Sequence, residues 1–184
     1  FPMKKVNAVL ALLTIAAMLV HTELMSYSLM TGWYDYISCM IVGEVALLLL
    51  TLHASMSLII VFFRHDGSDL TGSWRFNIKT IIQRGTGLLL ILMVHLHMGA
   101  YEFIAAREVL DASGAISRIV MEVVFAACLL AHIATSFSKA LITLGLVASE
   151  KTVRRIDTIT TVAVIVLGAT FVYSVVHFFA EWIL

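Results

Sequence analysis

The chain has 184 residues, of which 61% are hydrophobic and 13% are charged, and its mean hydropathy is +1.00. A soluble domain of this size cannot remove so much apolar surface from water, so the composition indicates an integral membrane protein. The formal net charge is zero, which gives no indication of nucleic-acid binding. The two cysteines form no CxxC pair, which argues against a zinc site or a protein-ligated iron–sulfur cluster.

Five apolar segments, each of spanning length, follow one another along the chain. They cover residues 6–26, 38–63, 79–106, 117–147 and 158–184. Each exceeds the roughly 20 residues that a helix needs to cross about 30 Å of hydrocarbon. Inside a bilayer such segments must be helical, because no water is available to unpaired backbone groups. The sequence therefore predicts an all-α integral membrane protein with five transmembrane helices, forming one domain over residues 1–184.

The basic residues are distributed unevenly between the two ends of the predicted bundle. Of twelve lysines and arginines, only Arg107 and Arg118 fall at the end that holds the loop between the third and fourth spans. The other ten are Lys4, Lys5, Arg64, Arg75, Lys79, Arg84, Lys139, Lys151, Arg154 and Arg155. Because basic residues are retained on the cytoplasmic side, we expect a cytoplasmic amino terminus and an external carboxyl terminus.

Histidines are concentrated in the apolar segments. Six of the seven lie within the spans or at their ends, namely His21, His53, His95, His97, His132 and His177, whereas His65 lies in a polar loop. Ionisable side chains are rare in a bilayer, and those present usually face the bundle interior and serve a function. A neutral histidine bonded to a neighbouring helix is the ordinary alternative for any one of them. At least one histidine in each of four consecutive spans favours a shared function.

Depth separates the histidines into two pairs. Counting from the basic end, His21 and His97 lie roughly 22 and 27 Å deep, and His53 lies about 15 Å deep. Lys139 shares a helical face with His132 and should reach the basic surface, which places His132 about 10 Å deep. Two neutral imidazoles on facing helices suit the two axial positions of a haem iron, whereas zinc normally takes further ligands. Since the chain has no CxxCH sequence, the two predicted haems would be b-type.

Several stretches around these histidines resemble one family. Residues 83–97, QRGTGLLLILMVHLH, are similar to a third-helix pattern of Gln-Arg-x-Thr-Gly with a ligand histidine fourteen positions after the glutamine, which is His97 here. LLLLTLHASMSLI resembles the second-helix segment around His53, HIATSFSKALITLGL the fourth-helix segment around His132, and MLVHTE the first-helix segment around His21. The family is the single-subunit, five-helix, dihaem cytochrome b anchor of succinate:quinone and quinol:fumarate reductases.

The chain departs from the family pattern at two positions. Ser57 and Ser136 stand where a glycine is expected four residues after the second- and fourth-helix ligands. The resemblance implies that His53 and His132 hold an inner haem and that His21 and His97 hold an outer one. This is the pairing that depth also predicts.

The resemblance also implies a place in a respiratory complex. The chain would lie in a bacterial-type inner membrane and anchor a flavoprotein and an iron–sulfur protein on its cytoplasmic side. Dicarboxylate chemistry would take place on the flavin of the partner. This chain would be the quinone-reactive subunit of the oxidoreductase, carrying electrons between the iron–sulfur clusters and quinone, with menaquinone the expected type.

Other polar residues are candidates for supporting roles. Arg84 and Lys139 could meet the propionates of the inner haem, or could serve only as cytoplasmic charges. Quinone-linked proton transfer needs a carboxylate or histidine near the outer haem. Four glutamates lie towards that side, and Glu44 and Glu23 rank before Glu102 and Glu122.

His95 and His97 cannot both face one ligand position, because residues two apart on a helix point about 200° apart. The family spacing selects His97, which shares a helical stripe with Thr86, Leu90 and Met93. His95 would then bond either to a neighbouring helix or to a quinone carbonyl.

Two other functions fit a histidine-rich membrane bundle. One is the cytochrome b subunit of another quinone-linked complex, of the nitrate reductase or hydrogenase type. The other is a haem-free transporter or proton channel that uses the histidines as a relay. One histidine ligand on each of the first four helices favours the succinate/fumarate type.

Overall fold

The computed structural model describes residues 3–33, 35–63, 74–106 and 108–184, and all the regular structure in these ranges is helical. The helices are α1 (Met3–Thr31), α2 (Tyr36–Phe63), α3 (Trp74–Gly99), α4 (Glu102–Ala106), α5 (Ala112–Leu144) and α6 (Glu150–Phe178). A π-helical turn at Phe179–Ile183 extends α6. Arg64, His65 and Arg107 lie outside the described residues, as does the side chain of Arg75.

Within the described ranges, five helical segments are long and apolar enough to cross a membrane, which confirms the predicted all-α fold with five spanning helices. They are Met3–Thr31, Ile37–Phe63, Ile78–Ile104, Ala112–Leu144 and Glu150–Ile183. The first helix continues beyond the predicted end at residue 26, and the last one begins before the predicted start at residue 158. Both extensions are more polar than the spans, so hydropathy alone does not detect them.

The third span is not one continuous helix as predicted. Helix α3 ends at Gly99, and α4 resumes at Glu102 after a turn in which the Ala100 amide donates to the His97 oxygen at 3.1 Å. Glycine has a low helix propensity, which favours an interruption at this position. The change of direction brings Phe103 into the buried cluster of Leu29, Ala115, Val175 and Phe179, which closes one end of the bundle.

Side-chain and backbone caps set the ends of α5. The Asp111 carboxylate accepts a hydrogen bond of 2.7 Å from the Gly114 amide, as an N-cap residue does. At the other end Gly145 adopts φ +79°, and the Leu146 amide donates to the Leu141 oxygen at 3.0 Å. This arrangement is a Schellman motif, in which glycine accepts the left-handed conformation without a Cβ penalty.

Helix packing leaves an opening on one side of the bundle. Helix α5 contacts α1, α3 and α6, whereas α2 packs extensively only on α1 and α3 only on α5 within the described ranges. Helices α2 and α3 therefore flank a gap. We call the end that holds Lys4, Lys79 and Arg154 the basic end and the opposite one the far end. Of the described basic side chains, only Arg118 lies at the far end, where it donates to the Ala100 oxygen.

Candidate functional site

The structure brings His21 on α1 and His97 on α3 together in the far half of the bundle. Their ring centres are 6.4 Å apart, and their planes are inclined at 84°. The His97 ring also stacks on Phe125, with 4.7 Å between ring centres. Stacking and the histidine contact together fix the plane of the His97 ring. We call His21 and His97 the far-end pair.

A second pair lies nearer the basic end. His53 on α2 and His132 on α5 have ring centres 6.5 Å apart and planes inclined at 66°. These helices do not pack extensively on each other, so the two side chains reach across the space between them. We call His53 and His132 the basic-end pair. The four histidines thus form the two pairs that depth predicts.

The separation within each pair equals that of two imidazoles on one metal ion. Ring centres in such a complex are about 6 Å apart, because each metal–nitrogen bond is about 2 Å long and each ring nitrogen lies about 1 Å from its ring centre. Edge-to-face aromatic pairs have a similar separation, so distance alone does not distinguish the two arrangements. The hydrogen bonds of the ring nitrogens are more specific.

In the basic-end pair, Nδ1 of each histidine is held by an oxygen of another helix. Nδ1 of His132 lies 3.0 Å from the backbone oxygen of Gln83, and Nδ1 of His53 lies 3.0 Å from Oδ1 of Asn7. Both oxygens can only accept, so a neutral imidazole carries its proton on Nδ1 and its lone pair on Nε2. Histidines that bind metals have this arrangement, in which an outer oxygen fixes the tautomer and the ring orientation.

In the far-end pair, Nδ1 of His97 has a hydrogen-bond partner, whereas Nδ1 of His21 has none among the described residues. Nδ1 of His97 lies 3.0 and 2.9 Å from the two carboxylate oxygens of Glu122, which is completely buried. Nδ1 of His21 is buried and has no hydrogen-bond partner among the described residues. A buried polar atom without a partner is unfavourable, and a ligand or water in the bundle could satisfy it.

Glycines face a histidine of each pair. A Cβ atom at Gly87 would lie 3.0 Å from Cε1 of His132, and one at Gly43 would lie 3.5 Å from Cε1 of His21. The first distance is too short for an undisturbed ring, whereas the second is an ordinary contact. Gly87 therefore leaves the space that the ring of His132 occupies.

A cavity of about 630 Å³ lies beside the far-end pair and receives side chains from all five long helices. Its volume is within the range of cavities that bind cofactors and other small molecules. His21 and His97 line it together with apolar residues such as Met18, Leu47 and Phe171. A large apolar group bound between the far-end histidines could therefore occupy this space.

The predicted carboxylates occupy three different environments. Glu44 is exposed but lines the cavity, whereas Glu23 is exposed and lies outside the lining. Glu122, which ranked behind both, is fully buried against His97. A signal for Glu122 was present in the sequence, because it lies seven residues after Ala115 and three before Phe125, on the buried stripe of α5.

The remaining candidates lie outside both pairs. His95 is exposed, and its Nδ1 lies 2.8 Å from the oxygen of Ile91 on its own helix. Nζ of Lys139 donates to Oε1 of Gln83 at 2.7 Å and to Thr80 at 3.1 Å. Lys139 therefore fixes the residue whose backbone holds His132. Arg84 lies half-buried one residue further along α3.

Asn7 is the site residue that sequence reasoning missed. Its Nδ2 donates to Oγ of Ser57 at 3.0 Å while its Oδ1 faces His53, so both ends of the amide are engaged. Ser57 is one of the two positions that depart from the family pattern. A polar residue near the start of an apolar span was the available signal.

The chain matches no protein-family model, no curated protein and no solved structure at a significant level.

Proposed function

We propose that this chain is a membrane-anchor cytochrome b that binds two b-type haems and transfers electrons to or from quinone. His53 and His132 would hold one haem, and His21 and His97 would hold the other. The observation that carries the proposal is the hydrogen bonding of Nδ1 in His53, His97 and His132, which leaves Nε2 of each ring for iron.

The surroundings of the two pairs also support a haem. The far-end pair adjoins a largely apolar cavity of about 630 Å³, which could receive a large apolar group. Gly87 gives the ring of His132 room beside α3. A bound haem supplies a reversible one-electron couple whose potential depends on its ligands and their hydrogen bonds.

The protein side chains would orient the ligands and exclude water. Asn7 and the Gln83 backbone hold one pair of rings, while Glu122 and Phe125 hold His97. Lys139 stabilises the Gln83 side chain from α5. A propionate contact for Lys139 or Arg84 stays a prediction.

Glu44 is the better candidate for quinone-linked proton transfer. It is exposed and lines the same cavity as His21 and His97, so a proton could pass between this carboxylate and a quinone at the cavity mouth. Glu23 is exposed outside the cavity lining. His95 lies on an exposed face of α3, and its bond to Ile91 leaves Nε2 for a partner at that surface.

We further propose that the complex is of the succinate dehydrogenase or fumarate reductase type. The basis is the resemblance of residues 83–97 and of the segments around His21, His53 and His132 to that family. The basic end would face the cytoplasm of a bacterial-type inner membrane and carry the flavoprotein and iron–sulfur partners. Menaquinone is the expected quinone.

An optical spectrum and a pyridine haemochrome assay of the purified chain test this function. Two b-type haems per chain would support it, whereas a chain without a Soret band would overturn it in favour of a histidine relay in a transporter. Purification from its native membrane then distinguishes the types of complex. Flavin and iron–sulfur partners would support the succinate or fumarate type, whereas partners without flavin would point to another quinone-linked complex.

A further inference from the structure

Glu122 is a buried carboxylate in the middle of a membrane helix. It is completely inaccessible, and both hydrogen bonds that the described residues make to it come from Nδ1 of His97. An ionised carboxylate in such surroundings is unfavourable unless a hydrogen-bond donor or a positive charge lies next to it. His97 is the hydrogen-bond donor that the described residues offer to this carboxylate.

The two oxygens of Glu122 are nearly equidistant from Nδ1 of His97, at 3.0 and 2.9 Å. Both oxygens of one carboxyl group therefore lie within hydrogen-bond distance of a single ring nitrogen. Phe125 lies three residues further along α5 and stacks on the same ring at 4.7 Å. One face of α5 consequently fixes both the hydrogen bond and the plane of His97.

Among the described residues, no carboxylate lies against Nδ1 of either histidine in the basic-end pair. His53 faces the amide oxygen of Asn7, and His132 faces the backbone oxygen of Gln83. All three acceptors fix the same tautomer, so orientation alone does not require a carboxylate. The feature that distinguishes Glu122 from the other two acceptors is its charge.

We infer that Glu122 is a positioning residue that lowers the reduction potential of the metal held by His97. A carboxylate that accepts the Nδ1 proton makes the imidazole a stronger electron donor through Nε2. A buried negative charge also favours the oxidised haem, which carries one more positive charge than the reduced form. The inference rests on the proposed function, because it presupposes a haem between His21 and His97.

Redox titration of the purified two-haem protein tests the inference through Glu122→Gln. The amide keeps the size of the side chain and one oxygen acceptor for Nδ1 of His97, replaces the second oxygen by an NH2 group, and removes the charge. We expect the ratio of oxidised to reduced far-end haem at a fixed potential to fall about tenfold, which is an upward shift of about 59 mV for one electron. The basic-end haem should keep its potential. Glu108→Gln is the control, because Glu108 is an exposed carboxylate at the same end of the bundle.

The reverse substitution gives an independent measurement at the other pair. Asn7→Asp places a carboxylate against Nδ1 of His53, so the potential of the basic-end haem should fall while that of the far-end haem stays unchanged. If Glu122→Gln does not retain its far-end haem, the potential of the basic-end haem in Asn7→Asp decides the question. A far-end potential that Glu122→Gln leaves unchanged, or a basic-end potential that Asn7→Asp leaves unchanged, overturns the inference. Absence of haem from the unaltered chain would instead overturn the proposed function.

Discussion

Cε1 of His132 lies 3.0 Å from the position that a Cβ atom would take at Gly87 on the neighbouring helix. A side-chain atom at residue 87 would require the imidazole of His132 to move by a few tenths of an ångström. The position of the ring therefore depends on the absence of a side chain at residue 87.

Gly87→Ala should weaken the haem site that we propose at the basic-end pair. Displacing a packed group in this way costs about 1–3 kcal/mol, and the His132 ring would move away from the Gln83 oxygen. The measurement is the number of haems per chain after purification, with the far-end haem as internal reference. Gly85→Ala is the matched control, because a Cβ atom there would meet nothing within 4 Å. Equal haem loss in both variants would contradict this explanation.

Asn7→Ala should loosen the same haem by a different route. The substitution removes the oxygen that holds Nδ1 of His53, and the loss of such an outer partner typically reduces metal-site affinity about 10–100-fold. Transfer of haem to an excess of apomyoglobin measures the effect as a rate. Ser57→Ala removes the second partner of the Asn7 amide but keeps the oxygen that faces His53, so this variant should lose haem more slowly than Asn7→Ala.

Gly168→Ala should destabilise the contact between α5 and α6. A Cβ atom at Gly168 would overlap Cδ1 of Leu130, so the end of that side chain would have to turn aside against its neighbours, at a cost of about 1 kcal/mol. Thermal unfolding in detergent measures the change. In the double variant Gly168→Ala, Leu130→Ala the two effects should not add, because removing the Leu130 side chain makes room for the new methyl group. Additive decreases in melting temperature would show that the destabilisation does not arise from the contact between Gly168 and Leu130.

Asp111 makes the start of α5 sensitive to acid. The hydrogen bond from the Gly114 amide, followed by that from the Ser113 hydroxyl, holds the pKa of the Asp111 carboxyl below its ordinary value of 3.8. Because the pKa is depressed in the folded state, the stabilisation is complete above the ordinary value and is lost as the pH falls through the folded value.

Asp111→Ala should therefore lower the melting temperature at neutral pH and have progressively less effect below pH 3.8. Asp111→Asn is the control, since an amide also caps helices but does not titrate in this range. If Asp111→Ala lowered the melting temperature by the same amount at every pH, the charge of Asp111 would not contribute to the stability of the helix start.

Much of the fold was predictable because its determinants are local. Apolar length requires five helices in a bilayer, and the fixed rise of a helix places His21 at the depth of His97 and His53 at that of His132. The break after Gly99 was not predicted, because the apolar pattern continues through it to residue 106. The break is accompanied by contacts between distant residues: Phe103 packs in the buried cluster, and the Arg118 guanidinium lies over the Phe103 ring.

The supporting residues were less predictable because their roles depend on neighbouring helices. Hydropathy does not reveal that Glu122 faces His97, or that Glu44 lies at a cavity while Glu23 does not. The same holds for Asn7, whose partners His53 and Ser57 lie about fifty residues away in the sequence. Helical spacing predicted that His95 and His97 point in different directions, but it did not predict that His95 bonds to the backbone of its own helix.

The haem content of matched histidine variants tests the central claim most directly. We expect two b-type haems in the unaltered chain and in His95→Ala, and one in each of His97→Ala and His132→Ala, as counted by the pyridine haemochrome. An unaltered chain without haem would contradict the account. So would a loss of haem in His95→Ala with full retention in His97→Ala.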